Sequence, residues 1–142
     1  MIVPPGRVRF AAGAGLLRCV RMSDRGLHRW YCGECKTPVG NTMSARMPFV
    51  GLIHAIMDVA DSDARDQAIG EPIAHVQTQG AIGSLPPYPR DISLPRIIVR
   101  SVRLLATWKL TGAGTPSPFF DARGAPRTPP QVLTPEQRRA LA

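Results

Sequence analysis

The stretch Leu27-His28-Arg29-Trp30-Tyr31-Cys32-Gly33-Glu34-Cys35-Lys36-Thr37-Pro38-Val39-Gly40 constrains the fold more than any other. Pro38 lacks the N–H a helix needs, and Gly40 gives up more backbone entropy than any other residue, so no helix follows the cysteines. Leu16 to Met22 and Leu27 to Tyr31 both read as strands, alternating polar and apolar residues. Ser23-Asp24-Arg25-Gly26 between them is a polar turn whose Gly can take a positive φ. Residues 16–32 are therefore expected to form a β-hairpin. If Met22 faces Leu27, Cys19 lies opposite Trp30, and His28, Trp30 and Cys32 share its face.

The Cys32-x-x-Cys35 spacing brings two sulfurs to one side of a tight turn. A tetrahedral zinc ion sits ~2.3 Å from each such sulfur and requires two further ligands. Gly33 supplies freedom inside the turn, and the charge on Lys36 favours thiolate over thiol. An idle pair of buried thiols is one alternative; redox chemistry is the stronger rival, since Cys-x-x-Cys-Lys also ends the thioredoxin active-site run. That chemistry needs the first Cys at a helix N-terminus, where the helix dipole lowers its pKa. Pro38 and Gly40 deny it that helix, and Leu27 to Trp30 is too polar for a buried parallel strand. Zinc is the expected cofactor, with Cys32 and Cys35 as ligands and Cys19 as a third across the hairpin; a small apolar core residue is the competing role for Cys19. For His28 the ordinary role is a surface hairpin residue, and for His54 a hydrogen-bonded core residue. His75 has no partner spacing.

Elsewhere, Arg7 to Phe10 reads as a short strand, and the apolar run from Pro48 to Asp58 as either a buried strand or a core helix, with Pro48 and Gly51 favouring the strand. Asp58, Asp61, Asp63 and Asp66 look like a solvated loop. An EF-hand starting at Asp61 would need Gly and Glu where Asp66 and Pro72 stand. Residues 69–90 are Gly- and Pro-broken, with short extended pieces such as Ile73 to Val76. From about 94 to 110, Ile97, Ile98, Val102, Leu105 and Trp108 recur at helical spacing opposite Arg96, Arg100, Arg103 and Lys109. Such a helix either covers a core or lies on an anionic membrane; the first is expected. Gly112 ends it. Residues 111–142 form a Pro-rich extended tail with a short terminal helix opened by the capping box Thr134-Pro135-Glu136-Gln137.

The 142 residues suit one modest domain, here 1–110, plus that tail. A net charge of +8 comes from 18 Lys and Arg against 10 Asp and Glu. The cations are dispersed and the aromatics do not interleave with them, which disfavours a nucleic-acid platform. Three cysteines cannot all pair, so a secreted disulfide framework is disfavoured and a reducing, cytoplasmic setting is expected. No stretch approaches the ~20 apolar residues of a membrane span.

The run from Gly26 to Thr42, with Pro48-Phe49-Val50-Gly51-Leu52-Ile53-His54 and Pro118-Phe119-Phe120-Asp121-Ala122, resembles the glutathione-dependent formaldehyde-activating enzymes. The similarity is to an uncharacterised branch of that superfamily, whose members fold as a zinc β-tent. It implies a structural zinc held by an upstream Cys-x-Cys and a downstream Cys-x-x-Cys followed by Gly-Thr-Pro or similar. Cys32 and Cys35 match the downstream half and Thr37-Pro38 its sequel, with Lys36 in place of the usual Gly. The upstream cysteines and the catalytic zinc ligands have no counterpart after Met1, so catalytic residues are unknown. The expectation is a mainly β domain: a partial β-tent with a zinc-knuckle hairpin, one amphipathic helix and a short C-terminal helix. It is read as noncatalytic as written, and as carbon–sulfur lyase-like by resemblance if active. A homodimer or a missing N-terminal segment is expected to complete the zinc site. A redox protein using Cys32 and Cys35, or a basic nucleic-acid-binding module, are the alternatives.

Overall fold

A computed structural model describes residues 1–57, 61–70, 83–84 and 94–140. Its centre is a six-stranded sheet: β1 (Ile2–Val3), β2 (Leu17–Arg21), β3 (His28–Cys32), β4 (Pro38–Thr42), β5 (Val50–Leu52) and β6 (Gln131–Val132). The spatial order is β1-β5-β4-β3-β2-β6. All neighbours are antiparallel except β2 and β6, which run parallel. Three helices follow the early strands: α1 (Ser62–Ile69), α2 (Leu94–Leu110) and α3 (Pro135–Arg139). The protein is mainly β with some helix. Two compact units are present, one of Met1–Asp58 with Leu105–Ala142 and one of Val59–Leu104.

The β2–β3 hairpin has the register its turn length requires, with Cys19 opposite Trp30 and Leu17 opposite Cys32. Gly26 closes the turn by donating its N–H to the Ser23 carbonyl at 2.9 Å, without a positive φ. Two rows of residues then line the core face. One runs Cys19, Trp30, Gly40, Leu52; the other runs His28, Thr42, Val50, Val3. A Cβ on Gly40 would lie 2.7 Å from the Gly51 carbonyl oxygen, so only glycine allows β4 and β5 to approach this closely. The register of β4 jumps by one residue beside Trp30. That bulge leaves Val39 as the extra residue, and its side chain is buried.

Trp30, 1 % exposed, is the centre of the core. Its indole N–H donates to the Thr42 hydroxyl at 2.9 Å, so a buried polar atom is satisfied by a buried partner. Phe119 and Phe120 pack on it, with ring centres 5.3 and 6.0 Å away, and Phe10 meets Phe119 edge-on at 5.8 Å. Phe119 is wholly buried and Phe120 nearly so. Residues 111–133 therefore do not form the extended tail that their prolines suggest. They bring two aromatics into the core, dock the Thr128 hydroxyl on the Leu17 carbonyl (2.9 Å), and add β6 to the edge of β2. Proline excludes regular ladders but not burial, and each aromatic brings roughly 1.5–3 kcal/mol of apolar stabilisation.

Other expectations shift for local reasons. Residues 5–7 form a 3-10 turn, and residues 8–10 lie outside any strand. The apolar run after Pro48 yields a three-residue strand and then a 3-10 turn over His54–Ile56. The acidic stretch forms α1 because the Asp61 side chain caps the helix, accepting the Asp63 N–H at 3.1 Å. Asp58, His75 and the extended pieces at Ile73 to Val76 lie outside the described residues.

The helix α2 ends in a Schellman motif. Gly112 sits at φ 67°, and the Ala113 N–H returns to the Trp108 carbonyl at 2.9 Å. Ile98, Val99 and Val102 are 53, 57 and 60 % exposed. The capping box at Thr134 forms as expected: Thr134 accepts from the Gln137 N–H, and the Gln137 side chain accepts from the Thr134 N–H. Among the described residues, no helix is long and apolar enough to cross a membrane.

Candidate metal centre

β3 and β4 are joined by the five-residue tip Gly33 to Thr37, which carries the thiol pair. Three backbone bonds fix it. The Cys32 N–H donates to the Thr37 carbonyl at 2.9 Å, and the Lys36 N–H donates to the Cys32 carbonyl at 3.0 Å. The Gly33 N–H reaches across to the Leu16 carbonyl at 2.7 Å, which ties the tip to the start of β2. Closing so tight a turn puts Lys36 in the left-handed region, at φ 60°. An L-residue pays about 1–2 kcal/mol for that conformation, and Gly is the usual occupant. Two interactions compensate at Lys36: its ammonium donates to the Gly33 carbonyl and lies 5.9 Å from the centre of the Tyr31 ring.

The sequence of the tip thus curls the chain so that both cysteines project from one turn. Cys32, the last residue of β3, is half-buried, and Cys35 is exposed. The Thr37 hydroxyl lies 3.1 Å from the Cys35 sulfur. Hydrogen bonds from the Thr37 hydroxyl and backbone, and then from the Cys32 thiol, bring the Cys35 thiol down to about 7. A large share of this thiol is ionised at neutral pH, the form that binds metals and attacks electrophiles. Arg18 adds positive charge. Its side chain crosses Gly33 so closely that a Cβ there would fall 2.9 Å from Arg18 Cγ and 3.4 Å from Nε. Gly33 thus has little room for a side chain; the Arg18 guanidinium donates to the Gly15 and Leu17 carbonyls, and the Lys36 ammonium to the Gly33 carbonyl. The sequence pattern of alternating strands gives Arg18 no hint of this role; it follows only from the β2–β3 register.

Cys19 sits elsewhere in chemical terms. It lies on the core face one diagonal step from Cys32, 2 % exposed, among Leu17, Trp30 and the phenylalanines. Burial pushes its thiol up to about 11, against smaller lowering by Arg21 and by a backbone bond from Arg29. The structure brings Cys32 and Cys35 together and leaves Cys19 as a neutral core side chain. Among the described residues, no three His, Cys, Asp or Glu side chains converge to hold a metal ion.

The two histidines exchange their expected places. His28 is buried, its Nδ1 3.1 Å from the Met43 carbonyl oxygen, and its ring meets Phe120 edge-on at 5.4 Å. Burial and then the charge of Arg21 hold its pKa below 6.5, opposed by its bonds to the Met43 and Thr42 backbone. His54 is exposed on the 3-10 turn. Neither stands beside the thiols as a ligand.

The donor set suits zinc chemically: two thiols of soft character at a tight turn, the exposed one brought down by hydrogen bonds. No curated protein and no solved structure matches the chain. A family model matches residues 3–128 of its 142. By that match the chain belongs to DUF6151, a family of unknown function.

Proposed function

We propose that this chain is a zinc-binding module in which Cys32 and Cys35 supply two thiolate ligands from the tip of the β3–β4 hairpin. The observation that carries the reading is the tip itself. Two sulfurs project from one turn, with Lys36 held at φ 60° to close it. A left-handed residue directly after the second cysteine costs stability, and such costs are kept where the local geometry serves a site. The resemblance to formaldehyde-activating carbon–sulfur lyases belongs to the same proposal. Without assigned catalytic ligands the module is read as noncatalytic, with zinc serving to fix the hairpin. A reducing, cytoplasmic setting suits three unpaired cysteines, one of them exposed.

Elemental analysis of purified chain tests this reading. Wild-type protein is expected to retain zinc through gel filtration, and Cys32→Ser/Cys35→Ser to lose it together with part of its thermal stability. Equal zinc content in the two proteins sinks the proposal. Turnover of S-hydroxymethylglutathione by zinc-loaded protein would overturn the noncatalytic part alone.

One observation favours a second reading. The Cys35 thiol, brought down to about 7 beside Cys32, also suits exchange between a dithiol and a disulfide. Against it, the segment after Cys35 enters strand β4 and supplies no helix dipole. Redox function predicts a Cys32–Cys35 disulfide with a potential in the cytosolic range, and a protein whose oxidised form is not reduced by glutathione rules it out.

A further inference from the structure

We infer that a second copy of this chain supplies the remaining ligands, so that one zinc ion is shared by two Cys32/Cys35 pairs across a twofold axis. The inference rests on the zinc reading above and names the partner of that site. Three observations support it.

The first is accessibility. Residues 34–38 are all exposed, and Cys35 stands among them at the outermost part of the hairpin. The core lies behind the bulge at Val39 and is not disturbed by a tip approaching head-on. A twofold contact needs only one small patch that meets its own copy, and the tip presents Cys35, with Cys32 behind it, at its exposed end.

The second is ligand number. Zinc in a structural site takes four ligands, and the described residues of one chain bring two together. Cys19, the other thiol, is 2 % exposed in the core and is not free to turn outward without opening it.

The third is charge. Zinc with two thiolates is neutral, whereas zinc with four carries −2. Each tip places Arg18 and Lys36 against Gly33, with Glu34 as the one acid in the turn, a local excess of one positive charge. Two tips therefore offset a four-thiolate centre. Two neutral donors from elsewhere would instead leave the surplus positive charge of the tip beside a neutral centre, with no anion to offset it.

The test uses the full chain, purified with zinc and again after chelation, by native mass spectrometry. The expected species is a dimer of the 15.4 kDa chain with one zinc per two chains, returning to monomer when the metal is removed. Cobalt(II) in place of zinc is expected to show the absorption of four thiolates per metal. Since serine variants can misfold, folded wild-type protein capped at Cys35 with iodoacetamide serves as the second blocked form; both are expected to stay monomeric. Lys36→Glu, which keeps the ligands, is expected to weaken zinc-driven dimerisation about tenfold or more. A monomer holding one zinc overturns the shared site and leaves the two-thiolate reading standing. A dimer that survives chelation overturns it as well. Chain that binds no zinc removes both.

Discussion

Cys19 and Cys35 are sixteen residues apart in sequence, one in the middle of β2 and one at the β3–β4 tip, and their thiols are opposites. One is pushed up to about 11 by burial among aromatics; the other is brought down to about 7 by hydrogen bonds at an exposed tip. The difference separates two regions of the molecule. Behind the bulge at Val39, side chains are chosen for packing, and a thiol there behaves as a small hydrophobe. In front of it, the backbone is bent into a costly conformation and polar groups point at sulfur. A cysteine's chemistry in this protein is decided by which side of the bulge it occupies.

The largest test of that division removes the packing region. Phe119→Ala is expected to cost about 3–5 kcal/mol in chemical denaturation, since it empties the centre of the core. A loss below about 1 kcal/mol would mean that residues 111–133 are the loose tail their prolines suggest. Next in size is the contrast between the thiols. At pH 7.5, metal-free folded protein should be alkylated at Cys35 at least about a hundredfold faster than at Cys19, and the ratio should collapse in denaturant. Thr37→Val should narrow the contrast by raising the Cys35 pKa, as read from the pH dependence of the alkylation rate.

Lys36→Gly sharpens the comparison from the other side. Relief of the left-handed conformation is offset by loss of the ammonium's bond to Gly33 and contact with Tyr31, so stability should change by less than about 1 kcal/mol, while loss of the ammonium weakens zinc binding. If stability falls by more than that, Lys36 is a structural residue and its strain serves no site. The smallest effect concerns His28, whose pKa in the folded protein lies below the 6.5 of the unfolded chain. The unfolded chain therefore takes up the proton first on acidification. Stability is full above pH 6.5 and declines as pH falls through that value toward the folded one. Denaturation curves at pH 7.5 and 5 should show this decline in wild type and a reduced decline in His28→Asn.

The legible parts of this fold were those fixed by short-range chemistry. The four-residue turn at Ser23 set the β2–β3 register, Gly112 stopped α2, and Thr134 opened α3 with its capping box. The cysteine pair was legible for the same reason, because a two-residue spacing determines its own geometry. What escaped depended on distant partners. Phe119 and Phe120 show no periodicity, and only the sheet beneath them makes them core residues. His28 is buried because Phe120, far along the chain, packs on its face of β3, and His54 is exposed on a 3-10 turn outside the sheet.

X-ray absorption at the zinc edge of the purified full chain tests the central claim most directly. Two or more sulfur neighbours at ~2.3 Å are expected in wild type and none in the Cys32→Ser/Cys35→Ser protein. A shell made only of nitrogen and oxygen at ~2.0–2.2 Å, or zinc environments that do not differ between the two proteins, would contradict it.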